Sequence, residues 1–434
     1  MTTATPTLRS SADAPDAGAP RLACRGCGRR EAGRLAYVCP ACLGPLEAQY
    51  DLDAVSARVD RDVIARRAPG IWRYQELLPV DGPPTRGLAV GSTPLVHAER
   101  LGDRIGIQNL RIKDDTRNPS LSFKDRAVAV AATRAVELGL EALACASTGN
   151  LASATAAAAA AIGLPAYVIV PADHEPAKID HAHAYGATVV PIEGAYDDVN
   201  RLCLELADET GWGFVNVNLR PYYAEGSKTL AFEIAEGLDW RTPDVVVAPI
   251  ASGALFTKLA RGFDQLAEVG LIKRRPVRFV GGQPAGCGPV AHAWQRGADT
   301  WTPVREPDTI VRSLAIGSPA DGEAALALAR ATGGSIEAIP DGETASAIRD
   351  AARLEGIYTE TAGGVTVAAA AAARRRGVIR EDDEVVALLT GNGVKTPDAR
   401  RFGLDHLAAG DWPDLVEPIR PSLTAVEAWL AGRT

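Results

Sequence analysis

The sequence has no surplus of positive charge. Its 46 lysines and arginines are outnumbered by 54 aspartates and glutamates, a net charge of −8. That balance argues against a general nucleic-acid binder, although a local set of donors could still hold an anionic metabolite. An even cysteine framework is also missing. Seven cysteines in 434 residues do not read as a secreted disulfide scaffold. The opening stretch, MTTATPTLRSSADAPDAGAP, has no apolar core that could serve as a signal peptide, and its composition reads as a disordered tail. Nor is there an unbroken apolar run. Leu151 to Val170 carries no charge, but Gly163-Leu164-Pro165 divides it into a helix followed by a strand. These absences lead to the expectation of a cytoplasmic protein with no membrane and no nucleic-acid partner. A Gly-x-Gly-x-x-Gly dinucleotide fingerprint and internal repeats are absent as well.

What is present exceeds one compact core, so two lobes are expected. Between Gly91 and Val394, Val/Ile-rich runs such as AYVIVP, ATVVPIEG, DVVVAPIASG, VRFVGGQ and EVVALLTGNG alternate with segments of helical apolar spacing. Continuous apolar runs suit strands buried on both faces, and this alternation predicts an α/β protein with mainly parallel open sheets flanked by helices. A Pro-punctuated extension with a short helical pattern closes the chain from about His406.

Near the start, CRGC and CPAC present Cys24, Cys27, Cys39 and Cys42 as two Cys-x-x-Cys knuckles. Two such knuckles turn four thiolates toward one point and complete a tetrahedral shell for a structural zinc, with no open position for catalysis. Cys145, Cys203 and Cys287 read as small packing residues. His181 and His183, two apart on a predicted helix, point to different faces and make no metal pair.

The stretch NPSLSFKDRA places a lone lysine, Lys124, after a Ser-Phe pair. Three later segments share a form. Ser147-Thr148-Gly149-Asn150 opens a strongly helical run, ASGAL (Ala251 to Leu255) follows a buried strand, and Thr390-Gly391-Asn392-Gly393 ends another. Small residues and exposed N–H groups between strand and helix make anion receptors, and ligands of open α/β sheets bind beyond the strand C-termini. A lysine amine beside phosphate cradles, without a dinucleotide fingerprint, points to pyridoxal phosphate held as a Schiff base.

The ordered combination of NPSLSFKDRA, STGNLASA, YYAEGSKTLAFEIAE and LLTGNGVKT behind a four-cysteine knuckle resembles the threonine synthase family. The resemblance spans about Ala23 to Pro397. It implies the two-lobed fold type II of pyridoxal-phosphate enzymes with an N-terminal zinc-ribbon-like knuckle. The implied division is a tail at 1–20, a four-cysteine module at 21–50, a large cofactor domain at 51–125 and 220–402, a small domain at 126–219, and an extension at 403–434.

By the same resemblance Lys124 is both catalytic and the cofactor's covalent anchor, with Phe123 packed near the ring. Asn150 meets the ring 3′-oxygen, Ala251, Ser252, Gly253, Ala254 and Leu255 cradle the cofactor phosphate, and Thr390 faces the pyridine nitrogen. Ser147, Thr148 and Gly149 are placed for a substrate carboxylate. The implied reaction converts O-phospho-L-homoserine and water to L-threonine and phosphate, and a homodimer is expected. Two features depart from the family. The phosphate turn is poorer in glycine than in many relatives, and Tyr223 stands where many carry an arginine that meets the substrate phosphate. Asn216, Asn218, Arg220 and Lys228 are the candidates to replace it. The departure keeps open a β-replacing enzyme on phosphoserine, like cysteate synthase, or a threonine/serine dehydratase.

Overall fold

The computed structural model describes residues 21–31, 35, 38–172, 179–194, 196–396 and 418–432. The N-terminal tail and most of the expected C-terminal extension lie outside these residues. Within the extension, helix Leu423–Ala431 is described. No helix among the described residues is long and apolar enough to cross a membrane.

Thirteen strands among the described residues form three sheets. The first is small and antiparallel: β1 (Arg21–Cys24) pairs with β2 (Arg30–Glu31) and β3 (Leu46–Gln49). The largest sheet uses β4 (Leu95–His97), β5 (Asn109–Asp114), β10 (Val245–Pro249), β11 (Arg278–Pro284), β12 (Ser335–Ile339) and β13 (Glu384–Leu389). Its order is β12-β11-β10-β13-β5-β4, parallel throughout except for β4 at one edge. The third, all parallel, is ordered β8-β7-β6-β9 from β6 (Ala142–Ala146), β7 (Ala166–Pro171), β8 (Thr188–Ile192) and β9 (Trp212–Phe214).

The central strand β10 shows why the runs are apolar without alternation. Val246 and Ala248 pack on one face with Leu230, Phe256 and Leu259, while Val245 and Val247 pack on the other with Val365, Ala369 and Ala373. Both faces are covered, so every position is selected for burial, at about 1.5–3 kcal/mol per large side chain. In the smaller sheet the covering helix Asn150–Ile162 is mostly alanine and buried along Ala152 to Ala159. Small side chains let it lie close to β6. It stops at Gly163, whose φ of 81° is the left-handed conformation that glycine adopts freely. The predicted helix-then-strand reading of Leu151 to Val170 is what the chain forms.

Candidate active site

Three loops beyond the C-terminal strand ends are laced together by backbone hydrogen bonds. Phe123 N donates to Thr390 O at 2.8 Å, Asn392 N to Leu121 O at 3.0 Å, and Glu360 N to Gly391 O at 2.9 Å. Segments near positions 120, 360 and 390 thereby become one surface at the ends of β5 and β13. Lys124 opens helix Lys124–Glu137 on this surface. Its Nζ donates to Tyr223 Oη at 2.7 Å and lies 4.9 Å from the Phe123 ring centroid.

Below the lysine lies a buried ion network that fixes the helix. Arg126, fully buried, donates to both oxygens of Asp115 and both of Glu233, while Lys113 Nζ lies 2.6 Å from Glu233. Two cations face two carboxylates here, so burial does not leave a bare charge. Burial alone would raise the Glu233 carboxyl, but Arg126 and Lys113 hold it at about 2. The helix has no capping side chain at its N-terminus, so this network supplies the anchorage at its first turn.

Asn150, the first residue of its helix, donates from Nδ2 to both oxygens of Glu360 at 3.0 and 2.9 Å. Burial pushes the Glu360 carboxyl above its usual range, against the opposing pull of Asn150, Lys395 and Lys124. The fit is close: a Cβ at Gly391 would meet that carboxylate at 2.4 Å. Thr390 is buried at the end of β13, and its hydroxyl makes no hydrogen bond within the described residues.

The Ser252–Gly253 turn precedes helix Ala254–Glu268. Gly253 has a φ of 95°, and a Cβ there would meet Asp321 O at 2.6 Å, so glycine is required. The N-cap Gly253 has no side chain to close this helix end; Ala254 N makes only a long bond to Ser252 Oγ at 3.5 Å, so the turn keeps N–H donors for an anion. Asp321 N donates to Ser252 O at 2.8 Å, and its two carboxylate oxygens pair with Arg25 and Arg220, each at 3.0 Å. A cleft beside this turn is lined by Arg25, Glu47, Arg220, Ala254, Lys258 and Asp321, among others.

The predicted substrate residues divide. Ser147 and Thr148 are half-buried and Gly149 is exposed, in the turn after β6, where Gly149 N donates to Ser147 Oγ at 3.2 Å. Asn216 Oδ1 accepts from Ala146 N at 3.4 Å beside that turn. Asn218 and Lys228 are not brought to it. Asn218 is buried with both ends of its amide on backbone, accepting from Phe214 N and donating to Trp212 O. The Lys228 amine is fully buried against Leu77 O, Gln265 and Glu225, and burial lowers it to about 8 despite Glu225.

Far along the sequence, but packed on the same body, the four cysteines converge. Their sulfur atoms all lie within 4.8 Å of one another, with Cys24–Cys42 at 3.4 Å and Cys27–Cys39 at 3.6 Å. The N–H groups of Cys27 and Gly26 point at Cys24 Sγ, and these bonds bring its thiol down to about 7. A Cβ at Gly44 would come within 2.9 Å of Cys24 Sγ. An all-sulfur cluster with N–H donors fits a thiolate-bound metal. No other such cluster of His, Cys, Asp or Glu occurs among the described residues. The module is docked by Tyr50 Oη donating to Glu225 at 2.7 Å and by Lys258, which reaches both Glu225 and Glu47.

An amine at a helix start, an amide and a hydroxyl at two strand ends, and an uncapped helix N-terminus fit pyridoxal phosphate, and the comparisons with known proteins agree. Residues 87–391 match the family described as Pyridoxal-phosphate dependent enzyme. The chain is 36% identical over 378 residues to the threonine synthase of Methanosarcina acetivorans, covering 87% of this chain and 92% of that one. The Methanocaldococcus jannaschii threonine synthase is 35% identical over 379 residues, covering 87% and 93%. This chain belongs to the threonine synthase family of pyridoxal-phosphate enzymes. The fold also matches a fungal L-serine ammonia-lyase from Rhizomucor miehei, with a TM-score of 0.61 at 18% identity over 73% of this chain and 99% of that one. A threonine deaminase from Solanum lycopersicum matches with a TM-score of 0.59 at 23% identity, over 71% and 83%. These similarities place the fold among the two-lobed type II enzymes.

For a threonine synthase family member, three polar residues at or beside the site were not legible in advance. Glu360, partner of Asn150, is 210 positions away, and nothing in TETAGG marks it. Asp321 and Arg25 reach the Ser252–Gly253 turn from a segment with no motif and from the four-cysteine module. Only a contact map, or pairwise co-variation, carries such information.

Proposed function

We propose that this chain converts O-phospho-L-homoserine and water to L-threonine and phosphate, as a homodimer in the cytoplasm, with zinc on its four cysteines in a structural role. The observation that carries the reading is the meeting of Lys124, Asn150, Thr390 and the Ser252–Gly253 turn at neighbouring strand ends in a chain so similar to threonine synthases. Bound pyridoxal phosphate supplies an electron sink for negative charge at the substrate Cα.

The protein's own groups do the remaining work. Ser147, Thr148 and the Gly149 N–H receive the substrate carboxylate. Lys124, as a free amine, takes the Cα proton and returns it at the end. Arg220, with Asn216 nearby, orients the substrate phosphate. Asn150 is the donor for the cofactor's 3′-oxygen, Phe123 flanks the ring, and Thr390 offers a neutral hydroxyl to the pyridine nitrogen. The turn Ala251 to Leu255 holds the cofactor phosphate.

The test is release of inorganic phosphate with matching threonine from purified protein supplied with cofactor and O-phospho-L-homoserine. Phosphate accompanied by a keto acid would replace this reading with an elimination. Metal analysis giving one zinc per chain, lost on Cys39→Ser, would support the structural ion.

A further inference from the structure

Tyr223 lies on helix Arg220–Gly226, three residues after Arg220, and its hydroxyl is the one hydrogen-bond partner of Lys124 Nζ among the described residues. The amine also sits 5.4 Å from the Tyr223 ring centroid and 4.9 Å from that of Phe123, so two aromatic faces restrict it. We propose that Tyr223 is a positioning residue for the reaction. It holds the free Lys124 amine in one orientation and exchanges a proton with it between steps. This inference rests on the reaction proposed above.

That reaction moves more protons than one amine can hold at once. Cα loses a proton and later regains one. Cβ loses one hydrogen and Cγ gains one, the water's hydroxyl goes to Cβ, and its remaining proton goes to the departing phosphate. Lys124 must change protonation state between these events, and a hydroxyl at 2.7 Å is a path for the proton. The other groups near the amine are already engaged. Glu360, across the site, is hydrogen-bonded to Asn150. Asp125, next on the lysine's own helix, accepts from Ser120 N at 2.7 Å and Ser120 Oγ at 2.6 Å. Lys395 donates to Ser120 O. An arginine at position 223 would place a second cation against the Lys124 amine. A tyrosine accepts from it.

The experiment uses full-length Tyr223→Phe and Tyr223→Arg. In cofactor-free protein, the Lys124 amine is observed by NMR after reductive 13C-methylation and assigned by its absence in Lys124→Arg. Tyr223→Phe should move and broaden this resonance, because the amine's hydrogen-bond partner is gone and its orientation is no longer single. In the cofactor-loaded enzyme the same variant should lose about a hundredfold in kcat with KM for O-phospho-L-homoserine little changed. Tyr223→Arg should not recover kcat. An unmoved Lys124 resonance in Tyr223→Phe would overturn the proposal, as would wild-type kcat in the arginine variant. If the wild-type protein makes no threonine, the functional reading fails, while the cofactor-free resonance still decides whether Tyr223 positions the amine.

Discussion

Asn150 and Glu360, 210 positions apart, are joined by two hydrogen bonds from one amide nitrogen to one carboxylate. The pair couples the helix after β6 of the smaller sheet to the loops at the ends of the larger one, beside the proposed ring position, and it fixes which way the asparagine amide points. Hydrogen bonds to charged groups contribute about 1.5–3 kcal/mol against about 1 for neutral ones. Glu360→Gln should therefore weaken cofactor binding about tenfold, read by titrating the cofactor's visible absorbance. Unchanged affinity would remove Glu360 from the site.

The same carboxyl makes stability depend on pH. Burial raises its folded-state value above the ordinary 4.5, so the native protein holds this proton more tightly than the unfolded chain does. The stability it contributes is present at low pH and is lost as pH rises from that ordinary value through the raised one. Cofactor-free Glu360→Gln should lack this component. Relative to wild type, its denaturation midpoint should rise as pH climbs above the ordinary carboxylate value of 4.5.

The ion network around Arg126 responds in the opposite sense. Glu233 is held at about 2 against an ordinary 4.5, so its contribution is complete above 4.5 and declines as pH falls toward 2. Arg126→Met leaves buried Asp115 and Glu233 with only Lys113 between them. The expected loss is about 3–5 kcal/mol, measured by chemical denaturation. A change below about 1 kcal/mol would show that the network relaxes around the gap.

Arg220 and Lys228 were grouped by sequence and are separated by structure. Arg220 is one-third exposed beside the Ser252–Gly253 turn, whereas Lys228 is fully buried. Arg220→Ala should raise KM for O-phospho-L-homoserine about ten- to a hundredfold with little change in thermal stability. Lys228→Met should do the reverse, lowering Tm and sparing KM. Equal effects on KM would place both on the substrate.

Removing the proposed metal should act at a distance. Arg25 lies between two of the clustered cysteines and pairs with Asp321, whose N–H supports Ser252 O. Stripping the ion with a chelator should weaken cofactor affinity several-fold while leaving far-UV circular dichroism nearly unchanged. Arg25→Ala with the metal in place should reproduce the weakening, and if it does not, the two ends are independent.

Much of this was legible in the sequence where the physics is local. Runs such as VVVAP and EVVALL read as strands because both faces of β10 and β13 are covered, and the cysteine knuckles converge because their spacing is short. Lys124, Asn150 and Thr390 were singled out by motif, and hydrogen bonds link their segments. The limits lay in long-range geometry. Asn218 and Lys228 looked like phosphate ligands by type and position, yet a backbone turn holds one and a buried carboxylate the other. Tyr223 read as the loss of an arginine, and its contact with Lys124 required two helices to be placed side by side.

The docking of the cysteine module also determines where this chain can be shortened. Cutting it back to position 51 would remove Glu47 and the Tyr50 hydroxyl, leaving Glu225 alone to face both Lys228 and Lys258, and leaving Asp321 with Arg220 alone. The trimmed protein would carry an excess buried cation and an uncovered apolar face where Leu22 and Leu46 now pack with the smaller sheet's core. Leu22, Leu46, Glu47 and Tyr50 are therefore part of the packing around Glu225 and the smaller sheet, and a boundary drawn at residue 87, where the family match begins, would remove them.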